Sequence, residues 1–342
     1  MATSRAASYN MPEHNEPQYA LSRTIALTDA LSGTTPLSRQ HTTVSLLKTD
    51  IRLLAAAIPR ILVTVIRRAP QTTSWVEWRE TVLYFIVSLV ELQLLISLCL
   101  WLVVPGIALL PWLGLQVASV WGILLCVNSR SQPFVSRADR LTRNDATDDK
   151  LESCDWFVVG GLVNNERMRH TVLPRLARIF GDDMHAFPPY RLGFPLDIVL
   201  MLLQRNLHMA TARSVSLYSS VRTSILNPKI NHVRIIAHNT GALDISWLLS
   251  HLCADIPAGS QLNKLQVFTF GAASTEMTLP LGKDHSQSDG SSKLLYPDVT
   301  HYAFTDDPIA KIGVLLGVRQ RLDGRFVGDL WYIFTRDLLM FQ

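Results

Sequence analysis

Between Ala237 and Gly241 the sequence reads A-H-N-T-G, with a strand-like run, HVRIIAH, leading in and a helix-like run, GALDISWLLSHLCADI, leading out. Small residues two places before and two places after a central position let a strand and a helix approach closely around a strained turn, which lifts its central side chain into a cleft. In acyl-transfer enzymes that side chain is a hydroxyl or thiol that attacks a carbonyl carbon. Here it is Asn239, an amide with no ionisable nucleophile. Thr240 offers a hydroxyl one place along, but such a turn aims only its apex side chain into the cleft.

A second run, WFVVGGL (Trp156 to Leu162), ends in Gly160 and Gly161, the pattern of a buried strand entering a tight loop. Backbone N–H groups there, with the positive end of the helix that follows Asn239, suit a carboxylate or an ester oxygen. Thr240, Gly160 and Gly161 are therefore the candidate ligand-binding positions. The four cysteines, Cys99, Cys126, Cys154 and Cys253, show no CxxC or Cys/His ligand spacing. No metal site, disulfide framework or cofactor is expected.

The elements that must position these residues alternate strand and helix from Trp156 onward, which implies a parallel sheet with helices on both faces. ERMRHTVLPRLARIF reads as a helix, PPYRLGFPLDIVLMLLQRNL as a loop then a second helix and RSVSLYSSVRTSILN as a third, while KLQVFTFGAAS (Lys264 to Ser274) is a further strand, followed by VTHYAFTDDPIAKIGVL (Val299 to Leu315). GKDHSQSDGSSK (Gly282 to Lys293) reads as a surface loop.

Ahead of this domain, Val82 to Val127 carries a single formal charge, Glu91. Val82 to Val104 and Ile107 to Val127 each approach the ~20 apolar residues that cross a bilayer, and Pro105-Gly106 separates them. The pair reads as a transmembrane helical hairpin. Arg60, Arg67, Arg68 and Arg79 before it and Arg130, Arg137, Arg140 and Arg143 after it place both flanks in the cytosol. Glu91 is either a functional intramembrane acid or a structural one that faces its partner helix protonated or hydrogen-bonded to Gln93 or Gln116. Ile51 to Arg68 is too short and too basic to span and reads as an interfacial helix kinked at Pro59, the alternative being a helix packed on the soluble domain.

The organisation expected is a disordered segment at 1–45, an amphipathic segment at 46–80, the hairpin at 82–127, a linker at 128–154 and an α/β domain at 155–342. A net charge of +4 with no basic stripe argues against nucleic acid as a partner.

Six segments in order, FVVGGL, FPLDIVLMLLQRN, IIAHNTGAL, KLQVFTFGAAS, HYAFTDDPIAKIGVL and GRFVGDLWYIFTRDLLMFQ, resemble the membrane-attached, lipase-like α/β-hydrolases of fungi, which are distantly similar to class 3 lipases. The resemblance implies an α/β-hydrolase-like domain. It puts the family's serine nucleophile at Asn239, its acid at Asp307, and the N–H that meets the oxyanion at Gly160 and Gly161. The family's histidine falls where this sequence reads Arg336-Asp337, so Asp337 marks a second degenerate catalytic position.

By chemistry alone Asp306 is as good an acid as Asp307, and the match to Asp-Pro selects Asp307. Without a histidine, Asp307 is free to cap a turn or to pair with Lys311. His238 and His301 look structural in this resemblance, held by packing or hydrogen bonding.

The function expected is a catalytically inactive, membrane-anchored pseudohydrolase that binds a hydrophobic small molecule or scaffolds membrane-associated enzymes. The alternatives are an active esterase or acyltransferase with displaced catalytic residues, in a fungal secondary-metabolite pathway, and a membrane protein whose hairpin is the working part. The expected location is the endoplasmic reticulum or another endomembrane.

Overall fold

The structure, a computed structural model, describes residues 21–26, 43–68, 75–103, 109–128, 131–138, 153–161, 165–256, 261–274, 277, 297–319 and 329–333. Strand β1 (Leu21–Ala26) precedes three long helices, α1 (Thr43–Arg68), α2 (Trp75–Val103) and α3 (Leu109–Asn128). Then come β2 (Phe134–Ser136), β3 (Cys154–Val159) and α4 (Asn165–Arg167), which continues through a π-helical turn at Met168–Val172 into α5 (Leu173–Phe180). The rest is β4 (Met184–Phe187), α6 (Phe194–Leu207), α7 (Ala212–Leu226), β5 (His232–His238), α8 (Gly241–Asp255), β6 (Leu265–Phe270), β7 (Asp298–Phe304), α9 (Pro308–Ile312), α10 (Val314–Arg319) and β8 (Asp329–Ile333).

These strands form one sheet in the order β1-β8-β7-β6-β5-β3-β4-β2. From β8 to β4 every neighbouring pair is parallel, as strands joined by helical crossovers must be. The sheet is nevertheless mixed, because β1 and β2 close its two edges in antiparallel register. An edge strand bonds on one side only and needs no apolar face, so the short FVS and the polar LSRTIA give little sequence signal. β1 lies inside the segment expected to be disordered, and residues 1–20 and 27–42 are outside the described residues.

β5 shows why the sheet is buried on both sides. Val233, Ile235 and Ala237 are fully buried against Leu217, Val221 and Ile225 of α7 and Ile245, Leu248 and Leu252 of α8. Ile236 faces the other way, towards Trp156, Val158, Leu173 and Ala177. Each such aliphatic side chain contributes about 1.5–3 kcal/mol on burial.

The first half of α1 departs from its expected interfacial place. Leu54 and Ala57 are buried with Met201, Leu243, Ala273, Ile309 and Ile312, and the Asp50 carboxylate is 3.0 Å from Nε of the buried Arg205 on α6. This half of α1 is a wall of the domain, as in the alternative reading.

α2 and α3 pack together through Val87, Val120 and Leu124. Among the described residues, Trp75–Cys99 is long and apolar enough to cross a membrane by length and composition, and Leu110–Cys126 is a shorter apolar helix. Pro105 and Gly106, expected to separate two spans, lie outside the described residues.

The start of α2 is bound to the domain by polar groups. Tyr84 donates to Asp197 (2.7 Å), Ser88 accepts from the Phe194 N–H (2.9 Å), and Glu80 accepts from the Glu166 N–H (3.0 Å). Glu91, of the two roles left open for it, takes neither Gln93 nor Gln116 as a hydrogen-bond partner. Its Oε2 accepts from the Leu196 N–H at 3.5 Å, and its carboxylate occupies the space where a Cβ on Gly193 would stand.

Candidate functional site

β5 carries the chain to the C-terminal edge of the sheet, where Asn239 turns it into α8 with φ of +49°, one of two positive-φ non-glycine residues among those described. A left-handed backbone at a non-glycine residue is strained by about 1–3 kcal/mol and persists only where its surroundings fix it. Three backbone hydrogen bonds do so: the Asn239 N–H donates to Phe270 O (2.9 Å), and Asn239 O accepts from Ala242 (3.2 Å) and Ala273 (3.1 Å). The small residues have the purpose their spacing suggests. A Cβ on Gly241 would stand 2.7 Å from Val159 O and 3.2 Å from Gly160 O, so only glycine lets α8 start this close to β3.

Gly161 closes one side of the turn. A Cβ there would collide with His238 O and lie 2.9 Å from Asn239 Cβ. Gly160 behaves differently from the oxyanion donor it was expected to be, because its N–H is already bonded to Phe187 O at 3.1 Å, extending the β3–β4 ladder by one rung. Thr240 is the N-cap of α8 and makes no side-chain capping bond.

Asp307 arrives from the loop after β7. Its Oδ1 caps α9 by accepting the Ile309 N–H at 2.9 Å, while Oδ2 points at Gly271, at the end of β6. Gly271 has φ of +62°, and a Cβ on it would collide with that Oδ2 and stand 2.7 Å from Asn239 Oδ1. Asn239 and Asp307 are thus brought together over one glycine. Asn239 Oδ1 is buried with no hydrogen-bond partner among the described residues. Lys311 pairs with Asp306 instead (3.4 Å), on the surface.

His301 is fully buried on β7 and shares a 2.7 Å hydrogen bond with Thr269, its register partner on β6. That is the structural role expected of it. Asp337 lies outside the described residues. Among the described residues no group of three or more His, Cys, Asp or Glu could hold a metal ion.

Two buried networks behind the site were not anticipated. Asp244, in the first turn of α8, is fully buried and accepts from Ser214 (2.5 Å), Thr211 (3.1 Å), Gln204 (3.4 Å) and Arg213. Arg213 also donates to Gly160 O at 2.7 Å, tying the loop after β3 to the helix after Asn239. Arg205 bonds Ala273 O (2.9 Å), Ile312 O (2.5 Å) and both oxygens of Asp50 (3.0 and 3.1 Å). Burial pushes its guanidinium down from the ordinary arginine value, and the Asp50 carboxylate works against that. The signal for both was an ionisable residue inside an otherwise apolar helical run, GALDISWLL and LMLLQRN.

The apex side chain is an amide, which carries no ionisable nucleophile of its own. No family model matches the chain, and no curated protein does. Among solved structures it is similar to the Francisella virulence factor BioJ, at 11% identity and a TM-score of 0.32, over 56% of this chain and 69% of that one. It is also similar to the siderophore hydrolase EstB from Aspergillus nidulans, at 10% identity and a TM-score of 0.29, over 60% of this chain and 88% of that one.

Proposed function

We propose that the protein is a membrane-attached α/β-hydrolase-like protein that has given up acyl transfer and keeps the cleft as a binding site for a hydrophobic acid or ester. One observation carries this reading: the strained apex that would present a nucleophile is built in full and holds Asn239. Asp307, which would orient a histidine in a working triad, caps a helix instead. The apolar α2–α3 pair supports membrane attachment.

A second reading, an esterase or acyltransferase with a displaced catalytic group, draws on the convergence of Asn239 and Asp307 at Gly271.

Binding is tested with the full chain in detergent micelles, titrated with a fluorescent long-chain fatty acid. Saturable binding is expected, and it should weaken at least tenfold in Asn239→Trp, which fills the apex. Binding that does not saturate, or that ignores the substitution, overturns the proposal.

A further inference from the structure

The docking of α2 limits how the domain sits relative to a bilayer. Glu80, Tyr84, Ser88 and Glu91 fall on one face of the helix at spacings of three and four, and this face carries its polar contacts to the domain. The contact ends there, because Leu95 and Leu98, further along the same face, are 39% and 45% exposed. Past that contact α2 continues to Val103, only about 18 Å of further helix, against ~30 Å of hydrocarbon.

At the level of the docked residues, the outer face of α2 is still apolar and open, with Phe85 61% and Leu89 51% exposed. A bilayer that covers Phe85 and Leu89 must therefore also reach the part of the domain beside them. That part is α6.

α6 is built for such a surface. Val199, Leu203 and Leu207 repeat every four residues along one side and are exposed. Its two ionisable side chains are both turned inward and bonded, Asp197 to Tyr84 and Arg205 to Asp50. The outer face of α6 thus carries no charge. On the neighbouring α1, Lys48 and Arg52 are exposed, a position suited to anionic headgroups at the rim.

We infer that α6 lies in the membrane surface alongside α2 and α3, so that one leaflet covers Val199, Leu203 and Leu207. This rests on the membrane attachment proposed above and goes beyond it. The domain is then partly sunk in the bilayer rather than standing off it on a stalk. α6 starts beside the Glu91 contact, and near its end Arg205, on the inward face, holds Ala273 O in the loop after Gly271.

The test uses the full chain in nanodiscs of phosphatidylcholine with phosphatidylglycerol, with the native cysteines replaced by serine. Nitroxide labels are placed one at a time at Val199→Cys, Leu203→Cys and Leu207→Cys, at Leu95→Cys and Val117→Cys on the helix pair, and at Ser219→Cys on exposed α7. Collision with oxygen reports lipid, and collision with a nickel chelate reports water.

The inference expects oxygen-dominated relaxation at the three α6 sites and at Leu95 and Val117, with nickel dominating at Ser219. Nickel-dominated α6 sites with oxygen-dominated Leu95 and Val117 would overturn the sunken domain and leave membrane attachment standing. Labels on α6 shielded from both agents would overturn it in favour of a second copy or another protein on that face. Nickel access at Leu95 and Val117 would remove the membrane reading itself.

Discussion

Asn239 and Asp307, from the ends of two strands separated by β6, aim their side-chain oxygens at the same point, the space a Cβ on Gly271 would fill just past the end of the strand between them. A carboxylate beside an amide can accept one hydrogen bond from it once the amide is turned to present its nitrogen. It cannot make the amide a nucleophile. The pair is a polar cluster over Gly271, held by a strained turn on one side and a helix cap on the other.

Gly271 is the tightest element of that cluster. Gly271→Ala combines a positive φ with a collision against Asp307, and a destabilisation of at least about 1 kcal/mol is expected. Urea unfolding of the full chain in detergent reads it, and an unchanged midpoint would mean that the two side chains do not converge as described.

Asp307 separates capping from catalysis. Asp307→Ala should lose about 1 kcal/mol by removing the acceptor for the Ile309 N–H, whereas Asp307→Asn, which keeps an N-cap oxygen, should stay within a few tenths. Equal losses in the two variants would show that the charge, and not the cap, is what matters.

The Asp50–Arg205 pair fastens α1 to the domain. Asp50→Ala leaves a buried guanidinium without its counter-ion and should cost about 3–5 kcal/mol. The double variant Asp50→Leu with Arg205→Met should cost less than the single one. Limited trypsin digestion should cut at the exposed Arg52 faster in Asp50→Ala, and protection equal to the parent chain would count against α1 being held this way.

Asp197 gives a pH dependence with a definite sign. Burial raises its carboxyl above the ordinary aspartate value, partly offset by the hydrogen bonds from Tyr84 and the Leu192 N–H. The folded state therefore holds the proton more firmly than the unfolded one. The stability this contributes is complete below about pH 4 and is lost as pH rises through the raised value. Asp197→Asn should remove that part of the slope. A series of unfolding midpoints from acid to neutral pH compares the two, and identical slopes would contradict the assignment.

The central part of the fold was legible because its chemistry is local. β3, β5, β6 and β7 are apolar runs, and A-H-N-T-G has the spacing of a tight strand-to-helix turn, so the elbow is found from five residues. β1 and β2 were not legible, because an edge strand is defined by a distant partner, here Ile333 for Leu21 and Ala186 for Phe134.

Gly160 reads in the sequence as a free loop amide, and only the ladder to Phe187 shows it committed. The placement of α1 depends on Arg205, a residue far along the chain from Asp50, which no periodicity in α1 could reveal. Likewise Asp244 gathers donors from α6 and α7 that are scattered in sequence and meet only once the sheet has formed.

The central claim is that a complete elbow with an amide at its apex does no acyl transfer. It is tested by esterase and thioesterase turnover of the membrane-reconstituted chain on acyl p-nitrophenyl esters and acyl-CoA, beside Asn239→Ser, Asn239→Ala and Asp307→Ala. The account predicts no turnover above buffer from any of them, since Asp307 is committed to capping α9 and the native apex is an amide. Turnover by the unaltered chain that survives Asn239→Ala and vanishes in Asp307→Ala would contradict it and show that the chemistry has moved to another group beside Gly271.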